Sequence, residues 1–387
     1  MDVTGDIRCI GVNDRRTDLF EGQYAVPNGI SYNSYLILDE RIAVLDTVDE
    51  GFGAEWLNRL QAELAGRKPD YLVIHHMEPD HSASLVRFLE QYPETTVVAN
   101  AKTFAMMQQF FGEDFRCRSE IVKEGDVLTL GRRSLTFLMA PMVHWPEVMV
   151  SYEAADGILF SADAFGKFGV PDEADDWVTE ARRYYIGIVG KYGAQVQALL
   201  KKAAKLDIRM ICPLHGPVLK EKIETYIGLY DTWSSYRPES EGVCVAYASV
   251  YGHTKEAALL LAEQLREHGC TDVTVYDLAR CDLAAAVADA FRCRRLVLAS
   301  VTYNADVFPY MKEFLNHLTE RNFRGRTIGL IENGSWAPMA AARMKEMLEK
   351  SKELQYPVEP VTIRSALTSA NRAQLAQLAE TLLKTAE

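Results

Sequence analysis

The sequence has little positive charge and no long run of apolar residues. Its 42 Lys and Arg residues are outnumbered by 54 Asp and Glu residues, so the formal net charge is −12. An acidic surface repels phosphate groups, which argues against nucleic acid or an anionic membrane surface as a partner. No apolar run approaches the length that a transmembrane helix requires. We therefore expect no nucleic acid and no membrane among the partners.

The sequence also lacks a signal peptide and any paired cysteine motif. Residues 1–6 are acidic and carry no apolar core, so we expect a cytoplasmic location. No CxxC occurs, which excludes a zinc ribbon or a rubredoxin-type iron site built from local pairs. We interpret the scattered cysteines as small buried hydrophobes in a reducing compartment. There are seven of them: Cys9, Cys117, Cys212, Cys244, Cys270, Cys281 and Cys293.

The 387 residues are enough for two or three domains, and the apolar pattern changes once along the chain. Hairpins and helices are mixed at first, and strict strand–helix alternation follows a polar linker at 234–242. We therefore predict one domain over residues 1–238 and a second over residues 242–387.

The first predicted domain has hairpins inside and helices outside, which fits a four-layer α/β/β/α sandwich. The predicted strands are 35–38, 42–45, 71–74, 95–98, 127–130, 134–138, 148–151 and 158–160, and the predicted helices are 53–64, 84–91, 103–111 and 179–192. The last of these helices carries Tyr184, Tyr185 and Tyr192. We interpret these tyrosines as core residues, because aromatic side chains at helical spacing usually pack.

The second predicted domain alternates strands with helices, which is typical of a doubly wound parallel five-stranded sheet. Its predicted strands are 243–247, 273–276, 295–299, 327–331 and 361–363, and its predicted helices include 255–267 and 372–386.

A cluster of possible metal ligands follows the apolar strand at 71–74. His76, Glu78, Asp80 and His81 lie within six residues, and Pro79 stiffens the turn between them. If the segment stays extended, alternation places His76, Glu78 and Asp80 on one side. So many polar groups at the edge of a core are costly unless something compensates them, and a pair of metal ions would do so.

Three further candidates, His144, Asp163 and His215, each follow a strand-like segment. Binding loops usually lie at such positions in layered α/β folds. With His76 and His81, the candidate ligands include four of the eight histidines of the chain. A solvated loop or an ion-pair network could also produce such a cluster.

This series of residues resembles the metal site of the flavodiiron proteins, which are built on the metallo-β-lactamase fold. The resemblance implies that His76, Glu78 and His144 bind one iron and that Asp80, His81 and His215 bind the other. Asp163 would bridge the two ions together with an oxo or hydroxo group. Hydrolases of this fold usually have His at the position of Glu78, and the extra carboxylate suits iron better than zinc. His75 is surplus, and we expect it to face the opposite way as a packed or supporting residue.

Three loops of the second domain follow its first, third and fourth predicted strands, where such folds bind ligands. The first opens into a helix, whose N-terminal N–H groups suit a phosphate, although a plain N-cap has the same pattern. The other two each supply a large aromatic side chain that suits a planar ring. These loops resemble the FMN site of flavodoxins, which assigns FMN to Ser249, Val250, Tyr251, Gly252, His253 and Thr254, to Ser300, Val301, Thr302, Tyr303 and Asn304, and to Glu332, Asn333, Gly334, Ser335 and Trp336.

The resemblance covers nearly the whole chain and implies an oxidoreductase. It would reduce dioxygen to water, nitric oxide to nitrous oxide, or both, with electrons passed through FMN from an external donor. That donor would be a rubredoxin-type protein or a reduced deazaflavin (coenzyme F420). The resemblance also implies a head-to-tail homodimer, and a dimer of dimers would be compatible with it.

Two other hypotheses are compatible with the same residues. One is a zinc-dependent hydrolase of the metallo-β-lactamase fold, fused to a flavodoxin-like domain, that acts through a metal-bound hydroxide. The other is a flavin electron carrier whose metal domain is inert. Metal analysis tests the first hypothesis, and gas consumption by the reduced protein tests the second.

Overall fold

The structure, a computed structural model, describes residues 3–113, 115, 118–171 and 176–384. Cys117 and the end of the last predicted helix therefore lie outside the described residues. The chain forms two compact units, Met1–Tyr185 with Tyr192–Asp231, and Ile186–Lys191 with Thr232–Glu387. The predicted functional domains, 1–238 and 242–387, stay a prediction. Within the described ranges, no helix combines the length and the apolar character that crossing a membrane demands.

The first unit is rich in short strands. In chain order they are β1 (Ile7–Cys9), β2 (Val12–Asp14), β3 (Leu19–Phe20), β4 (Tyr24–Ala25), β5 (Ile30–Tyr32), β6 (Tyr35–Ile37), β7 (Ala43–Leu45), β8 (Tyr71–Val73), β9 (Thr96–Ala99), β10 (Ser119–Ile121), β11 (Val127–Thr129), β12 (Ser134–Met139), β13 (Met149–Glu153), β14 (Ile158–Phe160) and β15 (Met210–Cys212). The helices are α1 (Gly53–Leu64), α2 (Pro79–Ser82), α3 (Leu85–Gln91), α4 (Ala101–Phe111), α5 (Trp177–Tyr184), α6 (Gly193–Ala203) and α7 (Ile223–Ser234).

Most of these strands form two sheets that pack against each other. The first sheet has the order β1-β6-β7-β8-β9-β10, and the second has the order β11-β12-β13-β14-β15. Leu45 and Val73 of the first sheet share one hydrophobic core with Phe137 and Phe160 of the second. The other face of the first sheet is also buried, for example at Leu72. The α/β/β/α sandwich and the β6–β7 hairpin are confirmed.

The predicted single helix at 179–192 is wrong. The α-helix α5 ends at Tyr184, a π-helical turn follows over Tyr185–Val189, and a 3₁₀ turn over Gly190–Tyr192 leads into α6. The segment contains glycines and β-branched residues, both of which weaken regular α-helix. Helices α6 and α7 were not predicted.

The second unit is a parallel sheet covered by helices. Its elements are β16 (Ser240–Ala248), α8 (His253–Glu267), β17 (Val273–Asp277), α9 (Leu283–Arg292), β18 (Cys293–Tyr303), β19 (Asp306–Val307), α10 (Pro309–Glu320), β20 (Thr327–Asn333), α11 (Ala340–Met347), β21 (Val361–Ile363) and α12 (Ser369–Lys384). The parallel strands have the order β17-β16-β18-β20-β21, and the short β19 pairs antiparallel with β18. Strand 1 therefore lies between strands 2 and 3, which is the flavodoxin-like order.

The five predicted parallel strands are confirmed, and most are longer than predicted. The first begins at Ser240, inside the predicted linker, and α7 ends at Ser234. The irregular connection is therefore only 235–239. Ligands of such sheets bind where the strand order reverses, which here is the carboxyl edge between β16 and β18.

Candidate metal centre and flavin site

The segment after β8 turns sharply instead of staying extended. Pro79 begins a single helical turn, α2, and the backbone N–H of His81 donates to the carbonyl oxygen of Glu78 at 2.9 Å. Proline suits this first position because its missing N–H would have no partner within the helix. The condition under which alternation would place Asp80 on the same side as His76 and Glu78 is therefore not met. Asp80 instead lies on the turn beside His81.

Four of the predicted metal ligands form the first cluster. The Nε2 atom of His76 lies 3.3 Å from Glu78 Oε2, from His144 Nε2 and from Asp163 Oδ2. The Nε2 atom of His144 lies 3.0 Å from both carboxylate oxygens. A tetrahedron with such edges has its centre about 2 Å from each corner, an ordinary metal–ligand distance for nitrogen and oxygen donors.

The remaining three predicted ligands form the second cluster. The Nε2 atoms of His81 and His215 lie 3.1 Å apart, and each lies 3.4 Å from Asp80 Oδ2. Asp163 also reaches this cluster, because its Oδ1 lies 3.1 Å from His81 Nε2 and 3.8 Å from His215 Nε2. One oxygen of Asp163 therefore faces each cluster.

Hydrogen bonds at the far side of two imidazoles determine which nitrogen faces the site without a proton. His76 Nδ1 lies 2.8 Å from the carboxylate of Glu147, and His215 Nδ1 lies 2.7 Å from the carbonyl oxygen of Ser31. Both acceptors lack protons, so each Nδ1 must carry one. In the neutral ring the Nε2 lone pair then points into the cluster, which is the arrangement of a metal ligand.

The buried carboxylates have too few hydrogen-bond donors around them. Both oxygens of Asp80 and Oδ1 of Asp163 accept no hydrogen bond from any described residue. Burial raises the pKa of Asp80 to about 7. Although burial opposes protonation of His144, the carboxylates of Asp163 and Glu78 raise its pKa to about 9. This excess of negative charge fits a pair of cations, which would supply the missing partners.

The surplus His75 belongs to a separate network, as expected. Its Nδ1 lies 2.6 Å from Asp46 Oδ2, and its Nε2 lies 2.8 Å from Ser151 Oγ. Asp46 also accepts the backbone N–H groups of His75 and His76 at 2.7 and 3.3 Å. All three side chains are buried, so this network supports the backbone under the cluster.

Several residues at the candidate metal site were missed. Glu147 follows His144 by three residues, and its role could have been suspected only from that spacing. The carbonyl of Ser31 carries no signal in the sequence. Tyr184 is buried in the core, as predicted, but its ring also packs 5.4 Å from that of His215 and its hydroxyl has no partner among the described residues.

The charge around Tyr184 keeps its hydroxyl protonated. Burial, followed by the negative charges of Asp163, Glu78 and Asp80, raises the pKa of Tyr184 well above its usual value. The hydroxyl therefore remains a hydrogen-bond donor at any ordinary pH.

A cavity of about 760 Å³ lies at the carboxyl edge of the parallel sheet. Thirteen of the sixteen predicted FMN residues line it: Ser249, Val250, Tyr251, His253, Thr254, Val301, Thr302, Tyr303, Asn304, Asn333, Gly334, Ser335 and Trp336. Ala305, Ala337, Met339 and Ser365 also line it and were not predicted. Ser365 could have been predicted from its position, because it lies in the loop after β21, the fifth parallel strand. The size and the largely apolar lining suit a cofactor with a ring system.

Three predicted FMN residues do not line this cavity. The carboxylate of Glu332 accepts hydrogen bonds from the Ala341 N–H at 2.9 Å and the Thr362 hydroxyl at 2.8 Å. Ser300 is fully buried and accepts the Phe308 N–H at 3.3 Å. Gly252 has a φ of +95° just before α8, a conformation that glycine adopts easily. These residues support the loops without lining the cavity.

Comparison with known proteins identifies the family of the chain. Residues 30–216 match a family model described as ODP family beta lactamase. An uncharacterized protein of Methanocaldococcus jannaschii is 30% identical over 82% of this chain and 81% of its own length. The anaerobic nitric oxide reductase flavorubredoxin of Vibrio vulnificus is 29% identical over 89% of this chain and 72% of its own length.

Solved structures extend the likeness over the whole chain. The rubredoxin oxygen:oxidoreductase of Desulfovibrio gigas has a TM-score of 0.91 and 26% identity, and 99% of this chain aligns with 98% of that one. The flavodiiron protein of Giardia intestinalis has a TM-score of 0.88 and 26% identity, covering 99% of this chain and 95% of that one. The chain is an oxidoreductase and belongs to the flavodiiron protein family.

Proposed function

We propose that this protein reduces dioxygen to water, or nitric oxide to nitrous oxide, at a diiron centre that receives electrons through FMN. The observation that carries the proposal is the position of Asp163, whose Oδ2 lies 3.0 Å from His144 Nε2 and whose Oδ1 lies 3.1 Å from His81 Nε2. A carboxylate that faces two ligand clusters suits two ions close enough to hold both ends of a diatomic molecule.

The ligand set supports iron over zinc. Each cluster has two imidazoles and one carboxylate of its own, and Asp163 is shared between them. Three carboxylates make a hard, anionic site, which suits iron better than zinc. Bound iron and FMN would each supply two electrons, so that four electrons and four protons turn one dioxygen into two waters, and two electrons and two protons turn two nitric oxides into nitrous oxide and water.

Aromatic side chains shield the clusters. Trp145 packs edge-on against the rings of His76 and His144, with centroids 5.2 and 6.1 Å apart. On the other side the ring of Phe20 lies 5.4 Å from that of His215. These rings exclude water and strengthen the electrostatic interactions inside. Tyr184 would hold a proton at its hydroxyl oxygen for a bound diatomic molecule.

The cavity of the second unit would hold FMN. The N-terminal N–H groups of α8 and the hydroxyls of Ser249 and Thr254 suit a phosphate. Tyr251 and Trp336 line the same cavity and are 92% and 88% exposed, so their rings are available to cover a flavin.

The electron donor that we propose is a rubredoxin-type protein, with a reduced deazaflavin as the alternative. The names of two similar proteins, flavorubredoxin and rubredoxin oxygen:oxidoreductase, support the first. We also propose a head-to-tail homodimer, in which each flavin serves the metal centre of the partner subunit.

Stopped-flow reoxidation of the fully reduced holoprotein, with dioxygen and nitric oxide presented separately, tests this function. We expect two irons and one FMN per chain, and reoxidation by at least one gas much faster than that of free FMN. A preparation that contains zinc, hydrolyses esters or thioesters and consumes neither gas would overturn the proposal in favour of a hydrolase. A protein that holds iron and FMN but consumes neither gas would instead be an electron carrier.

A further inference from the structure

The two clusters differ behind their imidazoles, on the side away from the metal positions. In the first cluster the Nδ1 atom of His76 lies 2.8 Å from a carboxylate, that of Glu147. In the second cluster the Nδ1 atom of His215 lies 2.7 Å from a neutral carbonyl oxygen, that of Ser31. The Nδ1 atom of His81 is buried and has no partner among the described residues.

Glu147 is held firmly in this position. Its Oε1 atom also accepts the backbone N–H of Met77 at 2.9 Å. Its own carbonyl oxygen accepts a hydrogen bond from the side-chain amide of Asn100, whose oxygen caps the N-terminus of α4. The Glu147 side chain is fully buried, so water does not screen its charge. A fixed negative charge therefore lies directly behind one ligand of the first cluster.

The ligands themselves give the two clusters the same charge. Glu78 belongs to the first cluster and Asp80 to the second, and Asp163 presents one oxygen to each. Each cluster also contains two imidazoles. Among the ligands and the groups hydrogen-bonded to their imidazoles, Glu147 is therefore the feature that makes the two metal positions unequal in charge.

A carboxylate behind an imidazole changes what the ring offers to a metal. It attracts the Nδ1 proton and makes the opposite nitrogen a more basic ligand. A more basic ligand and a nearby negative charge both favour the higher oxidation state of iron. A backbone carbonyl has only a dipole and does this more weakly.

We propose that Glu147 is a positioning residue that lowers the reduction potential of the iron in the first cluster relative to that in the second. When a chemical oxidant such as ferricyanide removes one electron from the diferrous centre, the ferric ion then occupies the position held by His76, Glu78 and His144. The ferrous ion occupies the position held by Asp80, His81 and His215. This inference rests on the proposed function only in taking both ions to be iron.

The test is an anaerobic redox titration of the holoprotein, followed by electron paramagnetic resonance of the half-reduced centre. Glu147→Gln keeps an amide oxygen as acceptor for His76 and Met77 but removes the charge. We expect the second of the two reduction steps to shift upward more than the first. The range of potential over which the half-reduced signal persists, and its maximum amount, should therefore both decrease. Unchanged potentials, equal shifts, or a shift confined to the first step would overturn the inference.

Two further variants keep the result interpretable. Glu147→Asp keeps the charge at a slightly greater distance and should recover most of the separation between the two steps. It also stands in for Glu147→Gln if that variant loses iron, and the inference then fails if the separation does not decrease at all. Glu124→Gln removes an exposed carboxylate and should leave both potentials unchanged. If the parent protein itself lacks two irons or consumes neither gas, the proposed function fails, whatever Glu147 does.

Discussion

His75 and His76 are neighbours in the chain, but their side chains belong to different hydrogen-bond networks. His75 is bonded at both ring nitrogens, to Asp46 at 2.6 Å and to Ser151 at 2.8 Å, whereas His76 is bonded behind to Glu147 and faces the ligand cluster with Nε2. The first ring therefore supports the backbone, and the second is available to a metal.

Replacing His75 should reduce stability. His75→Ala leaves the buried carboxylate of Asp46 without its ring donor and Ser151 without its partner. Loss of a hydrogen bond to a buried charged group costs about 1–3 kcal/mol of unfolding free energy. Urea unfolding, followed by tryptophan fluorescence, measures this loss. Since all seven ligands remain, the folded fraction should still bind two irons, and loss of one iron without loss of stability would contradict this assignment.

Replacing a predicted ligand should instead remove iron. His81→Ala removes an imidazole whose Nε2 faces Asp163 and His215, so we expect loss of iron and of gas turnover while FMN stays bound. Metal analysis and flavin absorbance of the same sample measure both. The matched control is His268→Ala, an exposed histidine that follows the last residue of α8, which should keep iron and turnover. Consumption of either gas by His81→Ala at the parent rate would show that the ligand assignment is wrong.

Tyr184→Phe should separate turnover from stability. The variant removes a hydroxyl that has no partner among the described residues, so the unfolding free energy should hardly change. Iron and FMN should stay bound. If the hydroxyl provides a proton to the bound diatomic molecule, single-turnover reoxidation should slow on the order of 100-fold, as general acids typically contribute.

The matched control for Tyr184 is Tyr35→Phe. The Tyr35 hydroxyl donates to the Pro213 carbonyl at 2.6 Å inside the core between the two sheets. Its removal should cost about 1 kcal/mol of unfolding free energy and leave turnover intact. Equal turnover in the two variants would show that the Tyr184 hydroxyl has no part in turnover and that the side chain only packs.

Trp336→Ala should weaken FMN binding without affecting the metal centre. Trp336 is 88% exposed and lines the cavity of the second unit. Loss of an aromatic stacking partner costs about 0.5–1.5 kcal/mol, so the dissociation constant of FMN should rise by roughly two- to tenfold. Titration of FMN-free protein, followed by quenching of flavin fluorescence, measures the change. Tyr310→Ala, an exposed aromatic residue on α10 outside the cavity lining, should bind FMN like the parent.

The sequence predicted the five parallel strands of the second unit and the central strands of the first, but not β1–β5 or β10. It also predicted the seven side chains that the structure brings together in two clusters. His144, Asp163 and His215 were found because few residue types bind metals and because each follows an apolar strand. The carbonyl of Ser31 could not be predicted, since every residue has one. Glu147 resembles any loop glutamate until the fold brings it to His76.

Other features depended on backbone geometry that residue patterns do not specify. The ring of Tyr184 is at helical spacing, which suggests packing, but α5 ends there and the ring contacts that of His215. Alternation alone would place Asp80 beside His76 and Glu78, but α2 forms a turn instead of an extended segment. The structure groups Asp80 with His81 and His215, as the resemblance implies. Periodicity indicates the type of an element more reliably than its last residue.

The turn α2 has a consequence for how the two metal positions are spaced. His76 and Glu78 precede it, and Asp80 and His81 lie on it, so six consecutive residues contribute to both clusters. Covalent geometry therefore limits how far apart these four side chains, and with them the two clusters, can lie. The spacing of two ions bound there would be set in part by the main chain between His76 and His81.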